Sequence, residues 1–486
     1  MNTLMKRVYY ILLTIGLMLT GCYGLDEENL KELATITINT PSDIVNAHVG
    51  IPFKYTDIQI LSQDNLPCTV EWAYGQPNSN ASSYPIKDLL TVISDKPEID
   101  YTFTKVGNYK LRLKVDNGES IVYKFFDLNV NSGLDEGIVV LNSNEEGHSK
   151  LAFIRTLTEV QIAAGETEFY DDIMTAINPG LEVSDACDLF IADKNTQGKY
   201  PALIVSTLDE KGSIFKMDPR TFELQKILRV SDSYAGVKCQ QFAGFTTSGG
   251  RYTLMNGTDG AIYRYDLLTD DVALRTDCRK LGVKKAYHAQ FGATNFYHFF
   301  YNDHTIYSPS YAAVDSTWAA SDLTNYQIVN MVFKRSGLRE LHVITRRLSD
   351  GNLVTHKMTS TFSSYMKRLD YKEDEPVAID EKAVMVTTLY STFVYYNYNN
   401  KIYRWDYNSS LPTINTTPAI TVPENEEITT LGRSQDDKYL YVCTYNATRP
   451  EKKGSLFIYD FTTQALVKSY EGKFDRPVRV LYKYRM

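Results

Sequence analysis

From Ala34 to Val130 the chain runs through short β-type stretches, ATITINT, TVEWAYG, YTFTKVGNYKLRLKV and SIVYKFFDLNV, separated by turn-formers. No apolar stretch there keeps a 3.6-residue period beyond two turns, so the pattern predicts a small β-sandwich over 34–130. Within Tyr101–Val115 the alternation places Tyr109, Leu111, Leu113 and Val115 toward a core and Lys110, Arg112 and Lys114 toward water. Trp72 is expected to be a buried tryptophan on the opposite sheet.

A polar linker with two glycines, Asn131–Gly137, follows, and beyond it the pattern repeats. GSIFKMD, GAIYRYD, NKIYRWD and GSLFIYD each join a turn residue to an alternating strand and close on Asp218, Asp266, Asp406 and Asp460. Weaker copies, HTIYSPS ending at Ser310 and NLVTHKM ending at Met358, fill the gap in steps of 44 and 48 residues. KLAFIRT, ending at Thr156, precedes the first clear copy by 62 residues. Further strands such as RYTLMNG, TFVYYNY and KYLYVCT precede most copies. A period near 48 with three or four strands per unit predicts a seven-bladed β-propeller over 137–486. A β-helix would need a shorter period, and two stacked sandwiches would need none. Arg476–Arg485 is an alternating strand with no hairpin partner after it. It is expected to take the innermost position of the blade begun at Gly137, sealing the ring without an open edge.

The amino terminus changes the picture. Lys6 and Arg7 precede a thirteen-residue, largely apolar stretch, Val8–Thr20, that ends in Leu19-Thr20-Gly21-Cys22. The stretch is too short for a permanent membrane span, and small residues directly precede a cysteine. Residues 1–21 therefore read as a lipoprotein signal peptide, with cleavage before Cys22, acylation at Cys22, and 22–33 as the acylated terminus and linker. An ordinary cleaved signal with a chance cysteine is the alternative. Acyl chains at about 0.8 kcal/mol per buried CH₂ would hold such a protein on a membrane without a transmembrane helix. Asp26-Glu27-Glu28 follow, an acidic start similar to the export tag of surface lipoproteins in the Bacteroidetes.

Composition fits an exported all-β protein: 36 Tyr and 21 Phe suit pleated, half-buried surfaces. The net charge is −8 over the whole chain, more negative once Lys6 and Arg7 leave, and there is no basic run, which argues against a nucleic-acid partner. Cys68, Cys187, Cys239, Cys278 and Cys443 are an odd, widely spaced set without CxxC, so neither a disulfide framework nor a zinc site is predicted.

No HExxH, GxSxG, Walker loop or GxGxxG in a βαβ setting occurs, and no catalytic residue, metal or cofactor is assigned. His288, His298 and His304 crowd the middle of the repeats, yet ordinary packing explains them better than a metal site lacking a third ligand. The closing Asp residues are read as caps of the turn between third and fourth strands rather than as catalytic groups. Aromatic runs at Tyr395–Asn400 and Asn295–Asn302 suit either strand cores or stacking on sugars and peptides, the core being favoured for any single tyrosine.

Leader, acidic tag, the YTFTKVGNYKLRLKV stretch and the repeats together resemble PKD-like family lipoproteins of Bacteroidetes. The usual acidic-glycine turn after the tryptophan is missing, so no calcium site is carried over. The resemblance implies an outer-membrane, lipid-anchored, cell-surface protein working beside a TonB-dependent transporter as an accessory of nutrient uptake. It would bind a glycan, a peptide or a protein partner. A surface hydrolase or lyase with a site dispersed over several blades, and a structural subunit of the transporter complex, are the alternatives. Two carboxylates, or a histidine with a carboxylate, converging at the ring axis would favour the enzyme.

Overall fold

The computed structural model describes residues 32–49, 52–76, 90–157, 159–163, 165–192, 201–245, 251–279, 281–291, 295–309, 314–318, 323–334, 340–358, 365–370, 379–406 and 417–484. The leader, Cys22 and the acidic tag lie outside them. The chain divides into two units, Met1–Asn131 and Ser132–Met486.

In the first unit Ile44–His48, Ile121–Asn131, Gly107–Asp116, Thr69–Gly75 and Thr91–Ser94 form one sheet in that order. Two short pairs, Ile36–Asn39 with Gln59–Ser62 and Pro52–Tyr55 with Ile99–Thr102, share a core with it. Leu111, Leu113 and Val115 are fully buried, and the intervening side chains pair on the other face, Lys110 with Asp127 and Arg112 with Glu71. Trp72 is fully buried, its ring against Tyr55 and Phe126 and its Nε1–H donating to Pro97 O at 3.2 Å. Its expected place on the opposite sheet is corrected. Thr69–Gly75 pairs directly with Gly107–Asp116, and the register sets Trp72 across from Leu113, so both project from one face of one sheet.

The second unit is built from seven four-stranded antiparallel sheets. The first comprises Arg476–Lys483, Gly137–Ser143, Ser149–Arg155 and Phe169–Tyr170, named from its innermost strand outward. The second has Ala186–Ala192, Ala202–Thr207, Ser213–Met217 and Leu224–Arg229. The third has Cys239–Phe245, Tyr252–Gly257, Ile262–Asp266 and Asp271–Leu274, and the fourth Lys285–Phe291, Asn295–Tyr301, Ile306–Pro309 and Val314–Trp318. The fifth has Tyr326–Lys334, Glu340–Arg347, Leu353–Met358 and Tyr365–Asp370, and the sixth Met385–Thr387, Phe393–Tyr398, Lys401–Asp406 and Ile420–Thr421. Glu427–Arg433, Tyr439–Tyr445, Gly454–Asp460 and Leu466–Phe474 make the seventh. Each repeat segment read from the sequence is a third strand.

An antiparallel sheet of this kind must bury both faces of its inner strands, and here each sheet packs on the next. Phe153 and Leu141 of the first meet Phe215 and Val205 of the second, and Tyr441 and Ile458 of the seventh return to Ile138 and Ile154 of the first. Equivalent clusters fill the other interfaces. The sheets thus form a ring with the architecture of a β-propeller. The third strand Ser213–Met217 is buried throughout, whereas the fourth strand Leu224–Arg229 is largely exposed.

Turn chemistry follows the closing aspartates. Asp218 accepts from Arg220 N at 2.8 Å, Asp266 from Leu268 N at 2.9 Å, and Asp460 from Thr462 N at 2.9 Å and Thr463 N at 2.8 Å. All three carboxyls are held below the ordinary range. Backbone donors dominate at Asp460, while at Asp218 and Asp266 burial opposes ionisation and is outweighed by Arg220 and Arg251. The turn after Asp406 lies outside the described residues. Cys239, Cys278 and Cys443 are buried, Cys68 and Cys187 are half-buried, and these five form no disulfide among themselves.

The last described strand, Arg476–Lys483, pairs antiparallel with Gly137–Ser143, Lys483 opposite Gly137 and Arg479 opposite Leu141. Gly432 and Gly454 of the seventh sheet let it approach. A Cβ at Gly432 would stand 2.8 Å from Val480 O, and one at Gly454 would stand 2.8 Å from Pro477 Cδ. Lys483 is fully buried, its Nζ donating to Leu134 O at 2.6 Å and to Asp135 O between the rings of Phe153 and Phe222.

Removing residues 477–486 is expected to abolish the cooperative thermal transition of the ring, because it deletes the innermost strand of the first sheet together with that strand's contacts to the seventh. Removing 23–130 should leave that transition in place, since each unit has its own core; calorimetry on both deletions checks this. Burial pushes Lys483 down to about 7, against the pull of Asp135, Asp218 and Glu136. An unfolded lysine keeps its proton to about pH 10.4, so between these values the unfolded chain binds the extra proton and this group makes stability rise with pH. In urea melts from pH 7 to 9.5 the wild type should therefore gain stability relative to Lys483→Met, with a constant difference below pH 7.

Candidate functional site

Two clefts open along the seam between the seventh and first sheets, one at each end of the strand Gly137–Ser143. The larger, of about 730 Å³, lies at the Gly137 end. Ile138, Ile154 and Ile458 form its floor, Tyr439, Tyr441, Tyr470 and Tyr482 stand around it, and Ile162 and Val467 lie on its rim. Tyr439 and Tyr441 share a face of one strand by the two-residue period. The same period sends neighbours on the closing strand to opposite sides. Tyr482 stacks on Tyr441 of the seventh sheet with centroids 6.2 Å apart, while Lys483 meets Phe153 and Phe222.

The charged lining is ordered by hydrogen bonds. Arg155 donates through Nε to Gly133 O at 2.7 Å, through one terminal nitrogen to Thr167 O at 3.0 Å, and through the other to Glu166 Oε2 at 2.7 Å. Tyr482 donates to Glu136 Oε1 at 2.6 Å. Glu168 Oε1 accepts from Lys468 and, at 3.0 Å, from the Tyr470 hydroxyl. Asp436 Oδ1 accepts from Ser434 Oγ at 2.6 Å and Lys438 N at 3.1 Å. Burial and the neighbouring carboxylates Glu136 and Glu168 raise the phenols of Tyr482 and Tyr470, so both stay protonated donors. Burial opposes the Lys468 ammonium, but Glu168 and Tyr470 together outweigh it and hold the group above its usual range.

The smaller cleft, about 410 Å³, lies at the Ser143 end and is lined by Glu145, Tyr445, Lys453 and Arg476. Lys453 Nζ is 2.6 Å from Glu145 Oε1, the Tyr445 hydroxyl donates to the same oxygen at 2.9 Å, and the Arg476 guanidinium lies 4.6 Å from the Tyr445 ring centre. Glu145 and Lys453 thus neutralise each other.

Other candidates fall elsewhere. Tyr395 and Tyr396 are buried between sheets, and Asn397 accepts from Val384 N at 2.7 Å, so the first half of that run is core, while Tyr398 and Asn400 are half-buried and Asn399 is exposed. Phe299, Phe300 and Tyr301 are core as well. The backbone register sets His288 opposite His298, whose Nδ1 bonds Ala243 O, while His304 Nδ1 bonds Tyr326 O at 2.6 Å. Among the described residues no three His, Cys, Asp or Glu side chains form a group able to hold a metal. On the innermost strands Asp188 is buried and its carboxyl raised, chiefly by burial and against Arg479; it accepts from Phe242 N at 2.8 Å, and no second carboxylate is among the groups acting on it. Cys22, the residue assigned to acylation, lies outside the described residues.

The strands carrying the cleft tyrosines were readable from alternation. Their meeting was not, because the bond from Tyr482 to Glu136 spans 346 residues and no repeat motif marks it.

No protein-family model matches the chain. No curated protein matches it either. Among solved structures, it is similar to a quinoprotein alcohol dehydrogenase-like protein from Bacteroides thetaiotaomicron, at 14% identity and a TM-score of 0.49, over 93% of this chain and 100% of that one. The β-propeller domain of Cps50 (Swd1) from Myceliophthora thermophila is 14% identical, with a TM-score of 0.39 over 61% of this chain and 88% of that one. The dihydro-heme d1 dehydrogenase NirN is 12% identical, with a TM-score of 0.42 over 72% of this chain and 75% of that one.

Arg155→Met is expected to cost about 3–5 kcal/mol in denaturant unfolding, because it strands Glu166 and two carbonyls beside a guanidinium site that is almost wholly buried. Glu168→Gln, in a half-exposed pair with Lys468, should cost under about 1 kcal/mol.

Proposed function

We propose that this protein is an outer-membrane surface lipoprotein that captures a glycan, a peptide or a protein partner as an accessory of nutrient uptake, beside a TonB-dependent transporter. Acyl chains on Cys22 anchor it to the outer leaflet. The first unit, a PKD-like sandwich in this reading, spaces the ring from the membrane, and the seven-bladed propeller does the binding. The observation that carries the reading is the cleft at the Gly137 end of the seam. It combines an apolar floor, four tyrosines and fixed polar groups in a volume suited to a small ligand or a few residues of a chain. Binding is favoured over hydrolysis because the buried acid of the inner strands, Asp188, faces Arg479 and the Phe242 amide rather than a second acid or a histidine.

Two measurements test this. Metabolic labelling with a palmitate analogue should mark the wild-type chain and not Cys22→Ala, which should leave the membrane fraction. The soluble form beginning after Cys22, screened on glycan and peptide arrays with product analysis of each hit, should bind without turnover. Turnover would replace this reading by an enzyme. Silence on both arrays, with co-purification of outer-membrane neighbours, would replace it by an assembly role.

A further inference from the structure

We propose that the cleft at the Gly137 end takes a peptide segment in which a basic side chain stands beside an aliphatic or aromatic one; this rests on the capture reading above and names its ligand. Charge is the first argument. Glu136, Glu166, Glu168 and Asp436 line the cleft against Arg155 and Lys468, an excess of acid that remains after both cations are paired. The hydrogen bonds these carboxylates accept among the described residues all fall on one oxygen of each, Oε1 of Glu136, Oε2 of Glu166, Oε1 of Glu168 and Oδ1 of Asp436. The second oxygen of each accepts none of these bonds, so it keeps acceptor capacity for a ligand, and an ammonium or guanidinium supplies several donors at once.

Shape and polarity supply the second argument. An aliphatic floor offers no partner to a hydroxyl, so a sugar pressed onto it would leave polar groups desolvated and unpaired, whereas an apolar side chain gains by burial there. The aromatic wall points the same way. Tyr482 stacks on Tyr441, and Tyr470 stacks on Phe169 with centroids 6.2 Å apart. Ring faces that would form a flat sugar platform are thus turned toward one another. Ile162 and Val467, 63% and 53% exposed, extend the apolar floor outward along the rim, giving a second apolar side chain a place beyond the first. A ligand seated there touches both the seventh and first sheets, so its binding also holds the seam closed and stabilises the ring by mass action.

The test uses the soluble form beginning after Cys22 and a library of random octapeptides, with neutral oligosaccharides alongside. Lys or Arg adjacent to Leu, Ile, Phe or Tyr should be enriched among the peptides retained. A synthetic representative should raise the melting temperature, and its affinity should fall at least tenfold in the double variant Glu168→Gln, Asp436→Asn, whose amides still accept the internal bonds. The affinity should also fall with added salt, and Glu145→Gln at the other cleft should not change it. Equal retention of peptides with Glu in place of Lys, or an unchanged affinity in the double variant, overturns the proposal. Oligosaccharide binding without peptide binding overturns the ligand class and leaves the capture reading standing, and silence of every ligand overturns this proposal, the capture reading falling with it only if outer-membrane neighbours co-purify.

Discussion

The pairing of Arg476–Lys483 with Gly137–Ser143 is the constraint on which the second unit depends. Seven sheets that each bury a face on the next can be satisfied only if the seventh also finds the first, and that contact is made through a strand from the far end of the chain. The backbone ladder provides the pairing, Gly432 and Gly454 provide the close approach, and Lys483 fixes the end of the strand to the carbonyls of Leu134 and Asp135. A buried lysine is a costly anchor, since an ammonium without water must find acceptors and here finds two carbonyls and two aromatic faces. Its position at the last turn of the ring ties segments 349 residues apart, closing the loop that all other interfaces presuppose.

Closure also explains why both described clefts flank this seam. Six of the seven sheets are continuous pieces of chain. The first is assembled from both ends of the unit, and its outer part departs from the repeat. Phe169–Tyr170 is a two-residue fourth strand, as is Ile420–Thr421 of the sixth sheet, but here the helical turns Glu159–Ala163 and Ile173–Ile177 flank it in the chain. This is the physical content of the long 62-residue step between the first two repeat segments. Asp172 caps the second of these turns by accepting from Met174 N at 3.1 Å, and its Oδ1 also accepts from Leu151 N at 3.4 Å, giving the third strand a partner beyond the end of the truncated one. The insertion brings Glu166, Glu168 and Ile162 over the seam, where they meet tyrosines from the seventh sheet and from the closing strand. An irregularity in one sheet thus becomes a cleft with mixed polarity.

Sequence determined a great deal here because strand alternation and repetition are local signals. Tyr109 to Val115 alternate into the core of the first unit, the seven third strands fall where the repeat places them, and Asp218, Asp266 and Asp460 cap the turns that their position predicts. Each of these depends on residues within a few positions of one another. Tertiary structure alone decided which sheet holds Trp72, since burial of an indole is a composition signal but its sheet is a matter of register with Leu113. It alone decided that Tyr395 and Tyr396 are core, that Tyr439, Tyr470 and Tyr482 border a cleft, and that Tyr441 does both. All six alternate on strands in the same way, and what separates them is which elements the folded ring sets beside them. That difference is set by contacts across some three hundred residues, which no local pattern of apolar and polar positions encodes.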